Sequence, residues 1–555
     1  MERTLNGIVR EVTNKYISDL DMNNLPSPET IESELLTLTR GEIDIENAGR
    51  SKGDKITKPA TLSFAQITDL MLALYPIRRI ICTNEDIDGD YDLLAIYNKE
   101  GHNEGIYTTN EDDFYEIATK FNYQLSQRDF NEILNKLKTK AKRVMRTNDK
   151  DLIPVGNGIF NYATKQLLPF SEEYIFMTKS KVNYNDKAAN PMIHNPKDNT
   201  DWDVESWMNE FSDDPEVINV LWEILGAIIR PNVSWNKSAW FYSESGNNGK
   251  GTLCELMRNL CGKGSYASIP ISDFGKDFML EPLTHSSAII VDENDVGTFI
   301  DKVGNLKAVI TNDVIQINRK YKQPIAYRFY GFMVQCLNEF PRIKDRSDSF
   351  YRRQLFVEFE KTFKGRERKY IKDEYLKRQD VLEYVLYKVL NMNYYSLSEP
   401  EACTVVLNEY KNFNDPVRLF YEDVVSECVW DLLPFNFLYD LYMAWFKSNI
   451  PAGTPISSFA LTTSILNLIE EYGEWECEDK RKKIRPSNKM DKPEPLIAKY
   501  DLNNWKNSIY KGNDIDKLCK PTLLANYRGI TRIVEEENKS SIIKDKNEEK
   551  ETVSV

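Results

Sequence analysis

The part of the chain best suited to chemistry is a lysine that follows a run of glycine and asparagine residues. The segment AWFYSESGNNGKGTLCELMRNL, residues 239–260, begins apolar, becomes polar and glycine-rich, and continues in a helical pattern after Lys250. Backbone N–H groups in such a loop, together with the N-terminal end of the following helix, bind phosphate groups. The pattern predicts a phosphate-binding loop in which Lys250 supplies the positive charge. An ordinary glycine-rich turn is the alternative when the loop is considered alone.

This loop departs from the usual phosphate-loop pattern, GxxxxGK[ST], at two positions. Glu244 replaces the first glycine, and Gly251 replaces the hydroxyl residue that usually binds magnesium. We therefore expect the hydroxyl of Thr252 to bind Mg²⁺, and we expect Gly246 and Gly249 to let the backbone curl around the phosphate. The predicted nucleotide-binding residues are Gly246, Asn247, Asn248, Gly249, Lys250, Gly251 and Thr252.

Two carboxylates follow a short apolar run downstream of the loop. Residues 288–291 read as a buried parallel strand, and Asp292 and Glu293 follow it directly. Open α/β sheets bind their ligands at the carboxyl ends of the strands. Asp292 is therefore predicted to hold Mg²⁺ through water, and Glu293 is predicted to activate the water that attacks the γ-phosphate. Alone, a strand that ends in Asp-Glu usually marks only its arrival at the surface.

An alternating basic segment and a further strand end come next. The sequence INRKYKQPIAY, residues 317–327, predicts a β-hairpin with a basic, aromatic tip. The apolar run 329–337 predicts a buried strand that ends at Asn338, whose side chain can orient the attacking water. The tip residues predicted to bind DNA are Arg319, Lys320, Tyr321 and Lys322. A solvated basic turn is the alternative if the hairpin stood alone.

Two adjacent arginines, Arg352 and Arg353, precede a further apolar strand. They resemble the arginine fingers that P-loop ATPases insert into the site of a neighbouring subunit. Arg353 is the preferred finger because it lies closest to the following strand, and Arg352 is then expected to fix the interface. A pair of surface arginines is the alternative if they are considered alone.

The order and spacing of these motifs resemble superfamily 3 helicases, in particular the C-terminal helicase of the phage and plasmid primase-helicase family related to the poxvirus primase-helicase. Asn338, Pro341 and Asp345, followed by the arginine pair, match the family's late signature. Lys320 and Tyr321 stand where papillomavirus-type initiators have a Lys-His pair. The resemblance implies an AAA+ enzyme that uses ATP and Mg²⁺, assembles with itself into a hexameric ring, and threads one DNA strand of a fork duplex through a central channel. A separate primase or other replisome proteins are further partners that it implies.

The expected fold class is α/β, with an AAA+ P-loop ATPase core, helical flanks, an N-terminal α+β region and a C-terminal winged-helix-like domain. Helices are predicted over 129–146, 206–235 and 382–390. The basic run 361–378 is predicted to be a solvated helix or a face at the edge of the ring. The basic run 480–485 is a candidate for the wing of the winged-helix-like domain. The expected boundaries are 1–105 for an N-terminal domain of unknown role, 106–205 for a pre-helicase domain, 206–365 for the core with its helical lead-in, 366–420 for a helical segment, 421–534 for the winged-helix-like domain and 535–555 for a disordered tail.

Composition limits the functional classes. The net charge of −14 argues against a protein that coats DNA with its outer surface, although a ring needs positive charge only along its channel. The eight cysteines form no CxxC pair and there are only three histidines, so neither a disulfide framework nor a zinc ribbon is supported. The sequence has no signal peptide or membrane-spanning run, and the cytoplasm of a bacterial host is the expected location.

The sequence thus predicts a replicative helicase of a phage or mobile element, and two alternatives stay open. One is an origin-binding initiator in which the winged helix recognises DNA and the ATPase drives assembly. The other is a primase-helicase fusion, for which the acidic segment NEDIDGDYD at residues 84–92 offers candidate metal-binding carboxylates, although a hydrated turn is the commoner origin of such a segment.

Overall fold

The computed structural model describes residues 3–83, 92–450 and 454–533 of the chain. The predicted disordered tail and most of the acidic segment 84–92 lie outside these described residues. The chain divides into two compact units, 1–407 and 408–555, so the predicted helical segment 366–420 spans the division. Both units mix helices with β-strands, which confirms the expected α/β class at this coarse level.

Helices and a four-stranded sheet form the start of the first unit. The elements are α1 (Leu5–Asp19), α2 (Pro28–Ala48), α3 (Phe64–Leu74), β1 (Ile77–Ile81), β2 (Leu93–Tyr97), β3 (Tyr107–Thr108), α4 (Glu111–Thr119), α5 (Gln127–Lys140) and β4 (Lys142–Met145). The strand order is β3-β2-β1-β4. The helix predicted over 129–146 is wrong at its end, because α5 stops at Lys140 and Val144 pairs with Ile80 in the sheet.

Small antiparallel sheets and two helices connect this region to the central sheet. They are β5 (Leu152–Val155), β6 (Gly158–Asn161), β7 (Gln166–Leu168), β8 (Ile193–Asn195), β9 (Thr200–Trp202), α6 (Val204–Asn209) and α7 (Pro215–Ala227). The single helix predicted over 206–235 is therefore wrong. The Asp214 side chain accepts a hydrogen bond from the N–H of Glu216, and Pro215 occupies the first turn of α7. This pair is a helix-start signal that interrupts the apolar pattern.

A five-stranded parallel sheet organises the rest of the first unit, in the strand order β11-β12-β16-β10-β18. Its apolar strands are buried together with α7, α8 and α12 in one large core. The β16 strand starts at Phe332, whereas the strand predicted from the apolar run begins at residue 329. The elements are β10 (Ser238–Tyr242), α8 (Lys250–Cys261), β11 (Tyr266–Ala267), β12 (Ala288–Val291), β13 (Phe299–Ile300), α9 (Gly304–Ile310), β14 (Val314–Arg319), β15 (Lys322–Arg328), β16 (Phe332–Leu337), β17 (Arg342–Ile343), α10 (Asp348–Tyr351), β18 (Gln354–Glu358), α11 (Lys369–Asp373), α12 (Gln379–Asn391) and α13 (Glu401–Asn414).

The β14–β15 hairpin leaves this sheet between β12 and β16 and lies against the first part of the unit. The N–H of Arg328 donates a 3.0 Å hydrogen bond to the carbonyl of Cys82. The guanidinium of Arg146 donates to the hydroxyl of Tyr327, also across 3.0 Å. These contacts fix the base of the hairpin to the end of β1.

The second unit packs helices on a small antiparallel sheet of order β19-β21-β20. Trp430, Phe437, Trp445 and Trp475 are among its buried aromatic residues. The elements are α14 (Pro416–Phe420), β19 (Leu432–Pro434), α15 (Phe435–Asn449), α16 (Ser458–Tyr472), β20 (Trp475–Glu476), α17 (Leu496–Lys499), α18 (Ile515–Leu518) and β21 (Gly529–Arg532). The basic run 480–485 follows β20, and Ile484 forms a single bridge with Tyr527.

Across the described residues, no helix is both long enough and apolar enough to cross a membrane.

Candidate active site

Three neighbouring parallel strands bring the predicted catalytic residues to one edge of the sheet. The central strand β16 pairs with β10 on one side and with β12 on the other. The phosphate loop follows β10, Asn338 follows β16, and Asp292 follows β12. Because the strands are parallel, all three carboxyl ends face the same way. The structure therefore places these three sequence-predicted positions side by side.

Lys250 is held inside this edge by three oxygen atoms. Its Nζ donates to the carbonyls of Ser243 and Leu337 across 3.3 and 3.1 Å, and to Oδ1 of Asn338 across 3.0 Å. The residue is only 5% exposed. Burial lowers the pKa of the Lys250 ammonium group, because a low dielectric penalises its charge. The Lys250 ammonium group thus lies at the carboxyl ends of β10 and β16, where neutral oxygens compensate its charge only in part.

The loop backbone takes its curl from Asn247 and Gly249. Both adopt the left-handed conformation, with φ values of 57° and 87°. A Cβ on Gly249 would lie 2.5 Å from Cε1 of Phe211, so no side chain fits there. A Cβ on Gly246 would meet no atom within 4 Å, and its φ is not left-handed. The prediction that Gly246 is needed for the curl is therefore wrong, since Asn247 does this instead.

Asn248 organises the loop from within. Its side-chain amide donates to the carbonyl of Ser245, and its Oδ1 accepts a 3.2 Å hydrogen bond from the N–H of Lys250. The amide is 5% exposed. Asn248 therefore fixes the loop backbone where it enters the first turn of α8.

Asp292 is already engaged by an arginine of the phosphate-loop helix. The two guanidinium nitrogens of Arg258 lie 3.1 and 2.8 Å from the two carboxylate oxygens of Asp292. Arg258 is the main reason that the pKa of Asp292 lies below its usual value. Within the described residues no hydrogen bond joins Asp292 to Thr252, and the role of the two residues in holding Mg²⁺ stays a prediction.

The two residues after Asp292 differ in their contacts: the Asn294 side chain is held by hydrogen bonds, and the Glu293 side chain is exposed. Asn294 donates to Oε1 of Gln335 and to the carbonyl of Cys336, across 3.0 and 3.1 Å, and so ties this turn to β16. Glu293 is exposed, and no side-chain hydrogen bond or ion pair holds it in the described part of the chain. The predicted general base is thus free to face a ligand, while the fixing role of Asn294 was missed.

A cavity of about 360 Å³ opens beside the phosphate loop. Gly249 and Thr252 form one wall, and Phe211 and Phe363 contribute aromatic rings. The N–H of Phe363 donates a 2.7 Å hydrogen bond to the carbonyl of Asn247, so the segment after β18 is attached to the loop. Part of the run predicted to be a solvated helix, 361–378, therefore covers the site, which the charged composition of the run concealed.

Lys372 is a further cation that the sequence reading missed. Its Nζ would lie 3.9 Å from a Cβ on Gly251, and its charge contributes to the lowered pKa of Asp292. The steric cradle at Gly249, the buried Lys250 and the adjacent aromatic cavity fit a nucleotide with its phosphates. The magnesium ligands fit only in part, because Asp292 would first have to release Arg258.

The arginine pair lies at the opposite edge of the same sheet. Gln354 pairs with Ser238 at the start of β10, whereas the phosphate loop follows the end of β10. Arg353 is half-buried and its guanidinium donates back to the carbonyl of Ser349, while Arg352 is exposed. Arg352 is therefore the more accessible of the two arginines, whereas Arg353 is held by its own chain, and which of them acts as the finger stays a prediction.

Three of the four predicted residues at the hairpin tip are exposed, and they differ in whether their side chains already have a partner. Tyr321 is 94% exposed and adopts a left-handed φ of 60°, and Lys320 is exposed beside it, with its Nζ 5.4 Å from the centre of the tyrosine ring. Arg319 instead donates to the carbonyl of Gln323, and Lys322 pairs with Glu111 across 3.1 Å. Lys320 and Tyr321 are thus the free positions of the tip.

Comparison with known families gives three matches along the chain. Residues 81–212 match "D5 N terminal like", residues 241–353 match a family of unknown function, DUF5906, and residues 412–502 match "Poxvirus D5 protein-like". The two D5 matches confirm the resemblance to the poxvirus D5-like family, on both sides of the central sheet. They indicate a replication-related role of the helicase or primase type.

Solved structures give weaker likenesses. An apo structure of the NrS-1 C-terminal region is 12% identical with a TM-score of 0.41, and the match covers 84% of this chain and 99% of that one. A second apo structure of the same region is 11% identical with a TM-score of 0.38, covering 73% of this chain and 89% of that one. No curated protein matches the chain significantly.

Proposed function

We propose that this chain is an ATP-driven DNA helicase that works as a ring of identical subunits, with an AAA+ core at residues 206–365. The observation that carries the proposal is the 3.0 Å hydrogen bond between Lys250 and Asn338 at the carboxyl edge of the parallel sheet. This edge also holds Asp292 and Glu293, and the basic hairpin leaves the sheet between the same strands. The predicted nucleotide site and the predicted DNA-binding hairpin would thus be attached to the same strands, the nucleotide site at the carboxyl ends and the hairpin at the amino end of β16.

The roles of the site residues follow from their positions. Lys250 and the loop N–H groups would hold the β- and γ-phosphates, and the cavity lined by Phe211 and Phe363 would take the base. Exposed Glu293 would accept a proton from the attacking water, which Asn338 would orient. Bound Mg²⁺, held by Thr252 and Asp292, would neutralise phosphate charge.

Coupling between nucleotide and DNA would run through β16 and the hairpin. When Lys250 turns toward a phosphate, Asn338 loses its partner at the end of β16. The hairpin stands between β12 and β16 in the chain and leads into the start of β16, so a shift of β16 along its axis would reach Lys320 and Tyr321. Arg352, at the far edge of the sheet, would complete the site of a neighbouring subunit.

The second unit supports a winged-helix-like assignment. Two helices, α15 and α16, stand between β19 and β20, and β21 pairs with both strands. The basic residues Lys480 to Lys483 follow β20, in the position of a wing. Exposed lysines at this position can contact DNA phosphates without reading sequence.

The proposal is tested by measuring ATP hydrolysis and forked-duplex unwinding with the purified chain and with Lys250→Ala. Both activities should be present in the parent and lost in the variant, which should still fold. A control is Lys276→Ala, an exposed lysine far along the chain from the loop, which should leave both activities unchanged. Normal hydrolysis by Lys250→Ala would refute the phosphate-loop assignment, and native mass spectrometry with ATP tests the ring.

A further inference from the structure

A large cleft separates the hairpin tip from the N-terminal part of the first unit. Its volume is about 890 Å³, near the upper end of the roughly 300–1,000 Å³ that holds small ligands. One side is formed by β2, β3 and the start of α4, and the other by the segment after α8 and by the hairpin. Tyr321 stands in its lining, so the cleft begins where the tip of the hairpin ends.

The lining of the cleft is cationic in an otherwise acidic chain. It contains five lysine or arginine residues, contributed by four separate segments: Lys138, Lys181, Lys263, Arg319 and Lys322. The carboxylates among the lining residues have cationic neighbours: Asp92 pairs with Arg79 and Arg143, and Glu111 pairs with Lys322. Glu281 acts electrostatically on Arg319. Glu111 and Glu281 thus offset part of the charge of Lys322 and Arg319. Lys138, Lys181 and Lys263 have no carboxylate partner within the described residues and supply the remaining positive charge of the lining.

Two histidines lie in the cleft beside these cations. Lys181 is the main cause of the lowered pKa of His102. Burial is the main cause of the lowered pKa of His285; Glu281 opposes the shift, and Lys322 and Arg319 add to it. In contrast, Lys138 and Lys263 are exposed and form no ion pair within the described residues. These two lysines are available to an anionic ligand without breaking an existing contact.

The distribution of charge indicates the shape of that ligand. The cations belong to four segments of the chain and lie on both walls of the cleft, whereas one segment or one loop commonly forms the site for a single phosphate. A flexible polyanion that passes the hairpin fits this arrangement, and the exposed ring of Tyr321 offers a base-stacking platform at its entrance.

We propose that the cleft binds single-stranded DNA as it leaves the hairpin tip, with the backbone phosphates contacting Lys138 and Lys263 and a base stacking on Tyr321. This inference rests on the proposed DNA-translocating role of the hairpin. It assigns to the N-terminal part of the chain, for which the sequence offered no role, one wall of the path of the strand.

The test compares two charge-matched double variants, Lys138→Glu with Lys263→Glu, and Lys136→Glu with Lys187→Glu. Lys136 shares α5 with Lys138 but does not line the cleft, and Lys187 is exposed elsewhere. Binding of a fluorescent oligothymidine is measured by anisotropy, without nucleotide, over a range of salt concentrations. The cleft variant should bind about tenfold more weakly, and its salt slope should be shallower by about 1.4, the value for two lost single-strand contacts.

Unchanged affinity and salt slope in the cleft variant, or an equal loss in the control pair, would overturn the cleft assignment. Both variants should keep DNA-independent ATP hydrolysis, since neither pair touches the phosphate loop. Failure of the cleft is thus distinguishable from failure of the proposed function, which would appear as unaltered ATP hydrolysis in Lys250→Ala. Thermal unfolding of each variant identifies any loss that comes from misfolding.

Discussion

Nζ of Lys250 and Oδ1 of Asn338 meet across 3.0 Å, although the two residues belong to different strand-loop units. They meet because β10 and β16 are parallel neighbours, with Tyr242 paired to Leu337 at their ends. In this arrangement the lysine hydrogen-bonds to three neutral protein oxygens, which compensate its charge only in part. In the proposed function, phosphate binding at Lys250 would be an exchange of partners, and it would release Asn338 when its side chain is needed to orient water.

The glycines of the loop should differ sharply in their tolerance of a side chain. Gly249→Ala forces a left-handed alanine and a 2.5 Å approach to Phe211, so it should destabilise the loop by about 1–3 kcal/mol and weaken nucleotide binding. Gly246→Ala should change little, because its Cβ meets open space. Fluorescent-nucleotide titration and thermal unfolding check both, and equal effects of the two substitutions would contradict the geometry.

Arg258 should compete with magnesium for Asp292. In Arg258→Gln the carboxylate is released, and the Mg²⁺ concentration that gives half-maximal ATP hydrolysis should fall by about threefold, a modest factor because Asp292 is 41% exposed and screened by solvent. Glu255→Gln is the matched control. The Glu255 carboxylate also lies near the Arg258 guanidinium, at 3.9 Å, but its removal leaves the pairing of Arg258 with Asp292 in place. An increased magnesium requirement in Arg258→Gln would instead identify the arginine as a positioning residue for the carboxylate.

The same pair gives a pH dependence of stability with a definite sign. Arg258 lowers the pKa of Asp292 in the folded state, so the stabilisation is complete above the unfolded carboxyl pKa of about 3.9 and is lost as the pH falls through the folded pKa. The difference in unfolding free energy between the parent and Arg258→Gln should be less than about 1 kcal/mol, constant from pH 7 to 5, and smaller below pH 4. Urea unfolding at each pH measures it, and a difference that grows as the medium is acidified would reverse the sign.

The arginines should act between subunits. Arg352→Ala should lose most ATP hydrolysis with little change in stability, because its side chain is exposed. Mixed with Lys250→Ala under subunit exchange, it should regain part of the activity, since some interfaces combine an intact loop with an intact arginine. Arg353→Ala should mainly lower the melting temperature, because its guanidinium binds the carbonyl of Ser349. Absence of rescue in the mixture would argue for a role within one chain.

Substitutions at the hairpin tip should weaken DNA binding without destabilising the fold. Lys320→Ala should abolish fork unwinding while basal ATP hydrolysis persists, because only the grip on the backbone is lost. Tyr321→Gly should relieve the left-handed strain at φ 60° and leave the hairpin at least as stable, yet weaken single-strand binding by about 1–3 kcal/mol. Anisotropy and thermal unfolding report the two effects. If Tyr321→Gly bound DNA normally, stacking by this ring would be refuted.

Patterns confined to one segment could be read from the sequence. The strand 288–291, the hairpin around Lys320 and the helix after Lys250 all carry their own periodicity and turn residues, and the structure has them at these positions. Their gathering at one sheet edge follows from the parallel order of the strands. The family resemblance was visible in the same motifs.

Features that depend on contacts distant in sequence were not predictable. The pairing of Arg258 with Asp292 depends on where α8 packs along β12. The contact of Phe363 with the phosphate loop depends on the chain after β18 returning over that loop. Val144 was assigned to a helix because its apolar spacing continues that of α5, whereas pairing with β1 decides its conformation. Sequence order also says nothing about which guanidinium of the arginine pair turns back on its own chain, so the contact of Arg353 with Ser349 was not predictable.

The position of Arg352 has a consequence for how activity depends on concentration. Five residues of β18 separate the arginine pair from the edge that carries Lys250, a distance of about 16 Å at the rise of a strand. A lone chain therefore cannot close its own site with this arginine. On dilution below the dissociation constant of the assembly, turnover per chain should fall steeply rather than remain constant. In mixed assemblies, a subunit that lacks both Lys250 and Arg352 should inactivate two sites, its own and that of a neighbour.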